Sequence, residues 1–250
     1  MSRKKMKVKE RHFEIVKLLE RETYISFKDL SQALKTPEIT IRRDIALLTS
    51  QDNEYQQALG GIRKIEITSL DSRLQINTKQ KLKIANRFKS QVKRGMSLCV
   101  DAGSTVYYCL EAIMGIEDLT IVTSEPNHLR ILTKFKNIKI HLLGGEVDPR
   151  THQVLGPLAE EMINKFQPDI GLVACSAIDN KGFLKCGLVG ENSIKKALIK
   201  NSKLSILVCD SEKMKADAFY QFAHIDDLDL VIMENTSTTS LSNKLKKLSK

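Results

Sequence analysis

Ile25-Ser-Phe-Lys-Asp-Leu-Ser-Gln-Ala-Leu-Lys-Thr-Pro-Glu-Ile-Thr-Ile-Arg-Arg-Asp-Ile45 reads as two short helices joined by a tight turn. Ser26 is a capping type, and Asp29 puts a carboxylate in the first turn that follows. Phe27, Leu30, Ala33 and Leu34 recur at helical spacing and define one apolar face. Lys35 and Thr36 form the turn. Thr36 is a capping residue, and Pro37 suits a first helical position, where its missing N–H costs nothing. The second helix is expected over 37–48. Ile41, Ile45 and Leu48 fall on one face, while Thr40, Arg42 and Arg43 point elsewhere. Arginine can fork two hydrogen bonds onto guanine or phosphate, and threonine can contact a base or a thymine methyl. A small amphipathic helix pair with a solvated basic face fits the same pattern, so the context has to decide.

Working outward, residues 9–21 read as a helix with Phe13, Val16 and Leu19, and Ile15 and Leu18 beside them, in a wide apolar stripe. Residues 2–9 hold five basic residues and no acid, which suits either an arm on phosphates or a solvated tail. Beyond the helix pair, residues 54–68 read as a hairpin turning at Gly60-Gly61, with Arg63 and Lys64 just past the turn. Three helices and a hairpin make a winged helix, whose wing would bring those two side chains to a DNA backbone.

Thr40-Ile-Arg-Arg-Asp-Ile45 followed by Leu59-Gly-Gly-Ile62 resembles the signature of the DeoR family of bacterial transcriptional regulators. Leu59 stands where members often carry histidine, and Pro37 where many carry serine. The resemblance implies that 37–48 is a recognition helix. The candidate DNA-binding residues are then Ser26, Thr36, Thr40, Arg42, Arg43, Arg63 and Lys64. Asp44 is expected to order arginine side chains, since a carboxylate facing phosphate would be repelled.

The organisation expected is a winged helix over 1–68, a polar connector over 69–80 and an α/β domain over 81–250. A helix over 79–93 has Leu82, Ala85, Phe88 and Val92 as its periodic set. Strands are expected at 96–100, 119–122, 138–143, 170–175, 204–209 and 228–233. Helices are expected at 105–114, 126–135, 157–166, 191–201 and 238–249. Such alternation implies a mainly parallel sheet with helices on both faces, and ligands outside the carboxyl ends of its strands.

Those ends hold Asp101, Gly103, Ser104 and Thr105; Thr123 and Ser124; Gly144 and Gly145; and Asp210 with Lys213. Small residues and hydroxyls at a helix N-terminus favour an anion such as phosphate, although Gly-Ser-Thr is also an ordinary helix cap. Lys213 would add positive charge unless it is merely a surface lysine. Asp101-Ala-Gly-Ser-Thr105, Val122-Thr-Ser124, Leu142-Leu-Gly-Gly145 and Cys209-Asp-Ser-Glu-Lys213 resemble the DeoR effector domain, which is similar in fold to ribose-5-phosphate isomerase. That implies a repressor of a sugar-catabolic operon, bound to double-stranded operator DNA as a homodimer or homotetramer and controlled by a phosphorylated sugar. Lactose or galactose phosphotransferase repressors fall within the family, which makes tagatose 6-phosphate one candidate effector. Thr123-Ser-Glu125 departs from the family's common Thr-Asn-Ser and leaves the ligand open.

Composition is consistent with this without locating it. The net charge is +10, of which residues 1–72 carry only +3. The five cysteines are odd in number and include no Cys-x-x-Cys pair, as expected of free thiols in a reducing cytoplasm. No membrane-spanning run or hydrophobic leader is read in the chain, so no membrane partner is expected. No His is spaced for metal from another His or Cys, and no cofactor is called for. The competing reading is an isomerase-like enzyme on a DNA-binding segment. Its available carboxylates are Asp101, Asp179, Glu191 and Asp210, but Ala174-Cys-Ser-Ala177 stands where similar isomerases carry an acidic cluster.

Overall fold

The computed structural model describes residues 6–22, 24–51, 55–64, 70–235 and 237–238. The chain divides into two compact units, 1–67 and 68–250.

The first unit runs α1 (Val8–Leu19), β1 (Tyr24–Ser26), α2 (Phe27–Ala33), α3 (Glu38–Gln51), β2 (Tyr55–Ala58) and β3 (Gly61–Lys64). Its three strands pair antiparallel in the order β1-β3-β2. Ile15, Leu19, Ile25, Phe27, Leu30, Ile41, Ile45, Leu48, Tyr55 and Ile62 form one core. Each such side chain contributes about 1.5–3 kcal/mol by leaving water. Of the wide stripe read on α1, Ile15 and Leu19 point inward together with Arg11; Val16 and Leu18 pack partly buried against the same core, and Phe13 is exposed. The spacing of four was present, but an arginine holds its first place.

Two local readings shift by a residue. Thr36 does not cap α3. Its Oγ1 donates to the Leu34 carbonyl at 3.0 Å, while the Pro37 carbonyl accepts from Ile41 N at 3.1 Å, so the helix starts one residue late. The hairpin turns at Leu59-Gly60, because Ala58 pairs with Gly61. Gly60 takes φ +75, and Gly61 lies in β3, where any Cβ would run into the Ile25 carbonyl and the Tyr24 ring. One glycine makes the turn and the other lets β1 close on β3.

The second unit opens with α4 (Leu70–Gln75), α5 (Thr78–Lys89), β4 (Ser97–Val100), α6 (Ser104–Ala112), β5 (Thr120–Thr123), α7 (Leu129–Leu132) and β6 (Lys139–Leu142). It continues through β7 (Glu146–Val147), β8 (Val154–Leu155), α8 (Pro157–Ile163), β9 (Ile170–Val173), β10 (Ala177–Ile178) and β11 (Phe183–Cys186). It closes with α9 (Val189–Asn201), β12 (Leu204–Val208), β13 (Tyr220–His224), β14 (Leu230–Ile232) and β15 (Ser237–Thr238). The main sheet has the order β15-β14-β12-β9-β4-β5-β6, parallel except for β15. Ile170 and Leu172 join Ile84, Phe88, Val106 and Leu110 on the α5–α6 face. Gly171 points the other way, and a Cβ there would meet Leu198 of α9 and Ser202 just past its end. Both faces are therefore covered, which is why the strands read as unbroken apolar runs.

All six expected strands are present in the main sheet. The connector, by contrast, carries α4: the Tyr108 hydroxyl donates to the Leu74 carbonyl at 3.1 Å, and Arg130 pairs with Asp71 at 2.7 Å. Helix α5 buries Lys81, Ile84, Ala85 and Phe88, while Leu82 is exposed. Residues 126–135 form only a 3-10 turn and the short α7. Residues 237–238 are strand, and the rest of the helix expected over 238–249 lies outside the described residues, as does the basic stretch over 1–5. The antiparallel sheet β10-β11-β13 is absent from the sequence reading.

Candidate functional site

In the first unit, α3 is oriented by its buried face. Ile41, Asp44, Ile45 and Leu48 point inward, so Arg42 and Arg43 are exposed and Thr40 is half-buried. Asp44 forks onto Arg11 of α1, with Nε–Oδ2 at 2.6 Å and Nη2–Oδ1 at 2.9 Å. It does order an arginine, but one from another helix. That hydrogen bond, more than burial opposes it, holds the Arg11 guanidinium firmly protonated. Arg42 lies 4.2 Å from the Phe27 ring centroid and 3.6 Å from the Glu38 carboxylate. No carboxylate among the described residues pairs with Arg43. Ser26 caps α2 as expected: its Oγ accepts from Asp29 N at 3.1 Å and donates to Asp29 Oδ2 at 2.6 Å. The hydroxyls of Ser26 and Thr36 are thus engaged within the fold. Arg63 and Lys64 are half-buried on β3.

In the second unit, the site follows from the strand order. From β4 the chain steps one way to β5 and β6, and the other way to β9, β12 and β14, so the order reverses between β4 and β9. Ligand crevices form at such a point. Asp101 stands there. Its Oδ1 accepts from Ala102 N at 2.9 Å; its Oδ2 accepts from Ala174 N at 2.9 Å and from Lys195 Nζ at 2.5 Å. Lys195 also reaches Glu191 at 3.7 Å, and Glu191 accepts from Gln153 at 3.1 Å. Burial works against the Lys195 ammonium, but Asp101 and Glu191 outweigh it and raise its pKa. Burial raises the Glu191 carboxyl, against the pull of Lys195.

Gly103, Ser104 and Thr105 follow at the start of α6. Gly103 has φ +127, which favours glycine, and no side chain caps the helix, so its first N–H groups remain available to an anion. Thr123 is otherwise employed: its Oγ1 bonds His128 Nδ1 at 2.8 Å and accepts from Glu125 N at 3.0 Å. Ser124 is buried, and its carbonyl accepts from Val154 N at 2.7 Å. Gly144 and Gly145 are exposed beyond β6, and a Cβ on Gly145 would strike the Leu155 carbonyl. Gly145 thus serves the approach of β8. Asp210 is buried, accepting from Glu212 N at 3.1 Å, and Lys213 is half-buried in the turn that follows.

Sequence reasoning missed the basic groups beside them. Lys81 is buried on α5 and donates to the Arg73 and Ile76 carbonyls. Burial pushes its pKa down to about 8; Asp210 opposes this, and Lys213 and Arg73 reinforce it. Lys81, Arg73, Asp210 and Lys213 therefore share one neighbourhood. Arg73 also pulls on Glu125 and Glu191, which ties α4 to the strand edge. The wording Lys81-x-x-Ile-Ala85, which resembles the segment that opens the DeoR effector domain, was the one signal for Lys81. Nothing local marks Arg73, because it sits in a stretch that reads as connector. Of the carboxylates open to the enzyme reading, Asp101 is locked to Lys195, while Asp179 accepts from Lys181 N and Phe183 N in a turn. All five cysteines are buried and unpaired. Among the described residues, no group of three or more His, Cys, Asp or Glu is placed to hold a metal, and no helix is long and apolar enough to cross a membrane.

A winged helix followed by a parallel α/β unit with a polar switch point is the arrangement of a two-part DNA-binding regulator. Residues 11–68 match the DeoR-like helix-turn-helix domain, and residues 76–235 match the DeoR C terminal sensor domain. The chain belongs to the DeoR family of transcriptional regulators. A glycerol-3-phosphate regulon repressor of Haemophilus influenzae is 30% identical over 226 residues, covering 90% of this chain and 88% of its own. Its namesake in Escherichia coli is 28% identical over 242 residues, covering 96% of each. Among solved structures, ribose 5 phosphate isomerase A from Neisseria gonorrhoeae aligns over 54% of this chain and 52% of its own. The TM-score is 0.39 and the sequence identity 14%.

Proposed function

We propose that the protein represses a sugar-catabolic, phosphotransferase-linked regulon, and that a phosphorylated sugar at the carboxyl edge of the second unit's sheet sets its affinity for operator DNA. One observation carries this reading. Arg73, Lys213 and Asp210 all lie close enough to act on the charge of the buried Lys81 ammonium, in the unit whose switch point presents the uncapped start of α6. Three cations and free N–H groups suit a phosphate ester. Glu191 and Asp210 suit its hydroxyls, and Asp101 holds Lys195 beside Glu191. The two relatives' names, repressors of a glycerol-3-phosphate regulon, support a regulon of phosphorylated carbon compounds. Tagatose 6-phosphate stands as one effector within that class.

The proposed DNA contacts are led by Arg43, Arg42 and Thr40, with Arg63 and Lys64 on the backbone. Ser26 and Thr36 would contribute through position, since their hydroxyls are spent. Paired half-sites would require a homodimer or homotetramer. The working compartment proposed is the cytoplasm, supported by five unpaired thiols. No enzymatic step is proposed.

A double dissociation tests the reading. Lys213→Ala should abolish the response to effector and leave operator affinity intact, whereas Arg43→Ala should weaken the operator and leave effector binding intact. Loss of both functions in each folded variant would contradict a division of labour between the units.

A further inference from the structure

Glu125 is the most deeply buried carboxyl in the second unit, with no exposed surface. The loop leaving β5 holds it rigidly: Oε1 accepts from Asn127 N at 3.0 Å and from Asn127 Nδ2 at 2.8 Å. Its Oε2 is buried and has no partner. Burial raises the carboxyl's pKa, while Asn127, Arg73 and His152 pull it back. Arg73 has a buried Nε that is also unpartnered. The same guanidinium acts on Glu191, which belongs to the Asp101–Lys195 network. The orphaned acceptor, in the loop that leaves β5, and the guanidinium with the orphaned donor, on α4, therefore lie within electrostatic reach of each other. Buried polar groups are almost always satisfied, and a pair of opposite character is what a ligand bearing both a donor and an acceptor would complete.

We propose that Glu125 is the specificity-determining acceptor of the sensor site: its free Oε2 takes a hydroxyl of a polyhydroxylated phosphate ester, whose phosphate lies with the basic groups. This rests on the function proposed above and narrows its ligand to an ester with a hydroxyl placed to reach Glu125.

The test is titration calorimetry on the full-length protein with tagatose 6-phosphate, fructose 6-phosphate, glucose 6-phosphate, glycerol 3-phosphate and inorganic phosphate. Wild type should bind one hydroxylated ester well above inorganic phosphate. Glu125→Ser should lose roughly tenfold or more on that ester and flatten the order of the panel, with inorganic phosphate unchanged. Glu125→Gln should lose less. Its Oε1 keeps the Asn127 donors, and its NH2 takes the place of Oε2, where a hydroxyl can still accept. Ester affinities and order unchanged in both variants would make Glu125 a structural carboxyl and overturn the proposal. If Glu125→Ser also loses inorganic phosphate, the isosteric Gln variant decides by the same comparison. Wild type binding neither esters nor phosphate would defeat the underlying reading, and this inference with it.

Discussion

Arg43 and Asp44 are neighbours on α3 with opposite fates. Arg43 is exposed, and Asp44 is 3% exposed and locked to Arg11. Replacing Arg43 by alanine should weaken operator binding by roughly 1–3 kcal/mol if it reads a base edge. Fluorescence anisotropy at fixed salt would measure this, and unchanged affinity would remove it from the interface. Replacing Asp44 by alanine strands a buried guanidinium, and such a break costs about 3–5 kcal/mol. Chemical denaturation should register that loss and a substantial recovery in the double variant Arg11→Met, Asp44→Leu. If the single variant is as stable as wild type, the pair is not holding α1 to α3. The helical period told which side of α3 faces inward. It did not tell which arginine Asp44 holds, because that pairing spans 33 positions and depends on how two helices cross.

At the scale of elements, two glycines mark where backbones must meet. Gly61 lets β1 close on β3, and Gly171 lets α9 sit on the sheet. In both cases a main-chain carbonyl, which cannot swing aside, blocks a Cβ, and at Gly171 the Ser202 hydroxyl stands closer still. Gly171→Ala should cost about 1–3 kcal/mol by overpacking, read as a lower Tm with helix content retained below the transition. An unchanged Tm would mean that α9 shifts without penalty. The parallel strands were legible because burial on both faces makes them continuous apolar runs bounded by polar turns. The β10-β11-β13 sheet was not, since two-residue β10 carries no period and β13 pairs with β11 across α9. Helix α4 was missed for a related reason. Six residues rich in polar side chains look like a linker until Tyr108 and Arg130 of the same unit dock it. With it went Arg73, so the basic side of the candidate site was read from Lys213 alone, while the acidic and glycine side stood in plain wording at the strand ends.

For the whole molecule, pH offers a check on the second unit's core. His128 is fully buried, and burial pushes its pKa down to about 3. Between the ordinary value of about 6.5 and that lowered one, the unfolded chain binds a proton that the folded chain refuses. Stability should therefore fall as pH drops through this window, by up to about 1.4 kcal/mol per unit from this group. The raised carboxyls of Glu125 and Glu191 act in the opposite sense, since the folded state takes up their protons first. The difference between wild type and His128→Gln in unfolding free energy against pH isolates the histidine. Parallel curves would show that the imidazole is not held neutral.

The central claim is that one chain couples operator DNA to a phosphorylated sugar, and linkage makes the coupling reciprocal. The direct measurement is anisotropy of the protein on the DNA upstream of its own gene, titrated with a panel of sugar phosphates at constant ionic strength. A sequence-specific complex whose affinity changes on adding one phosphorylated sugar, and not its unphosphorylated parent, is the predicted result. Salt-sensitive binding without sequence preference, indifferent to every phosphate in the panel, would contradict the account and reduce the helix pair to a basic surface.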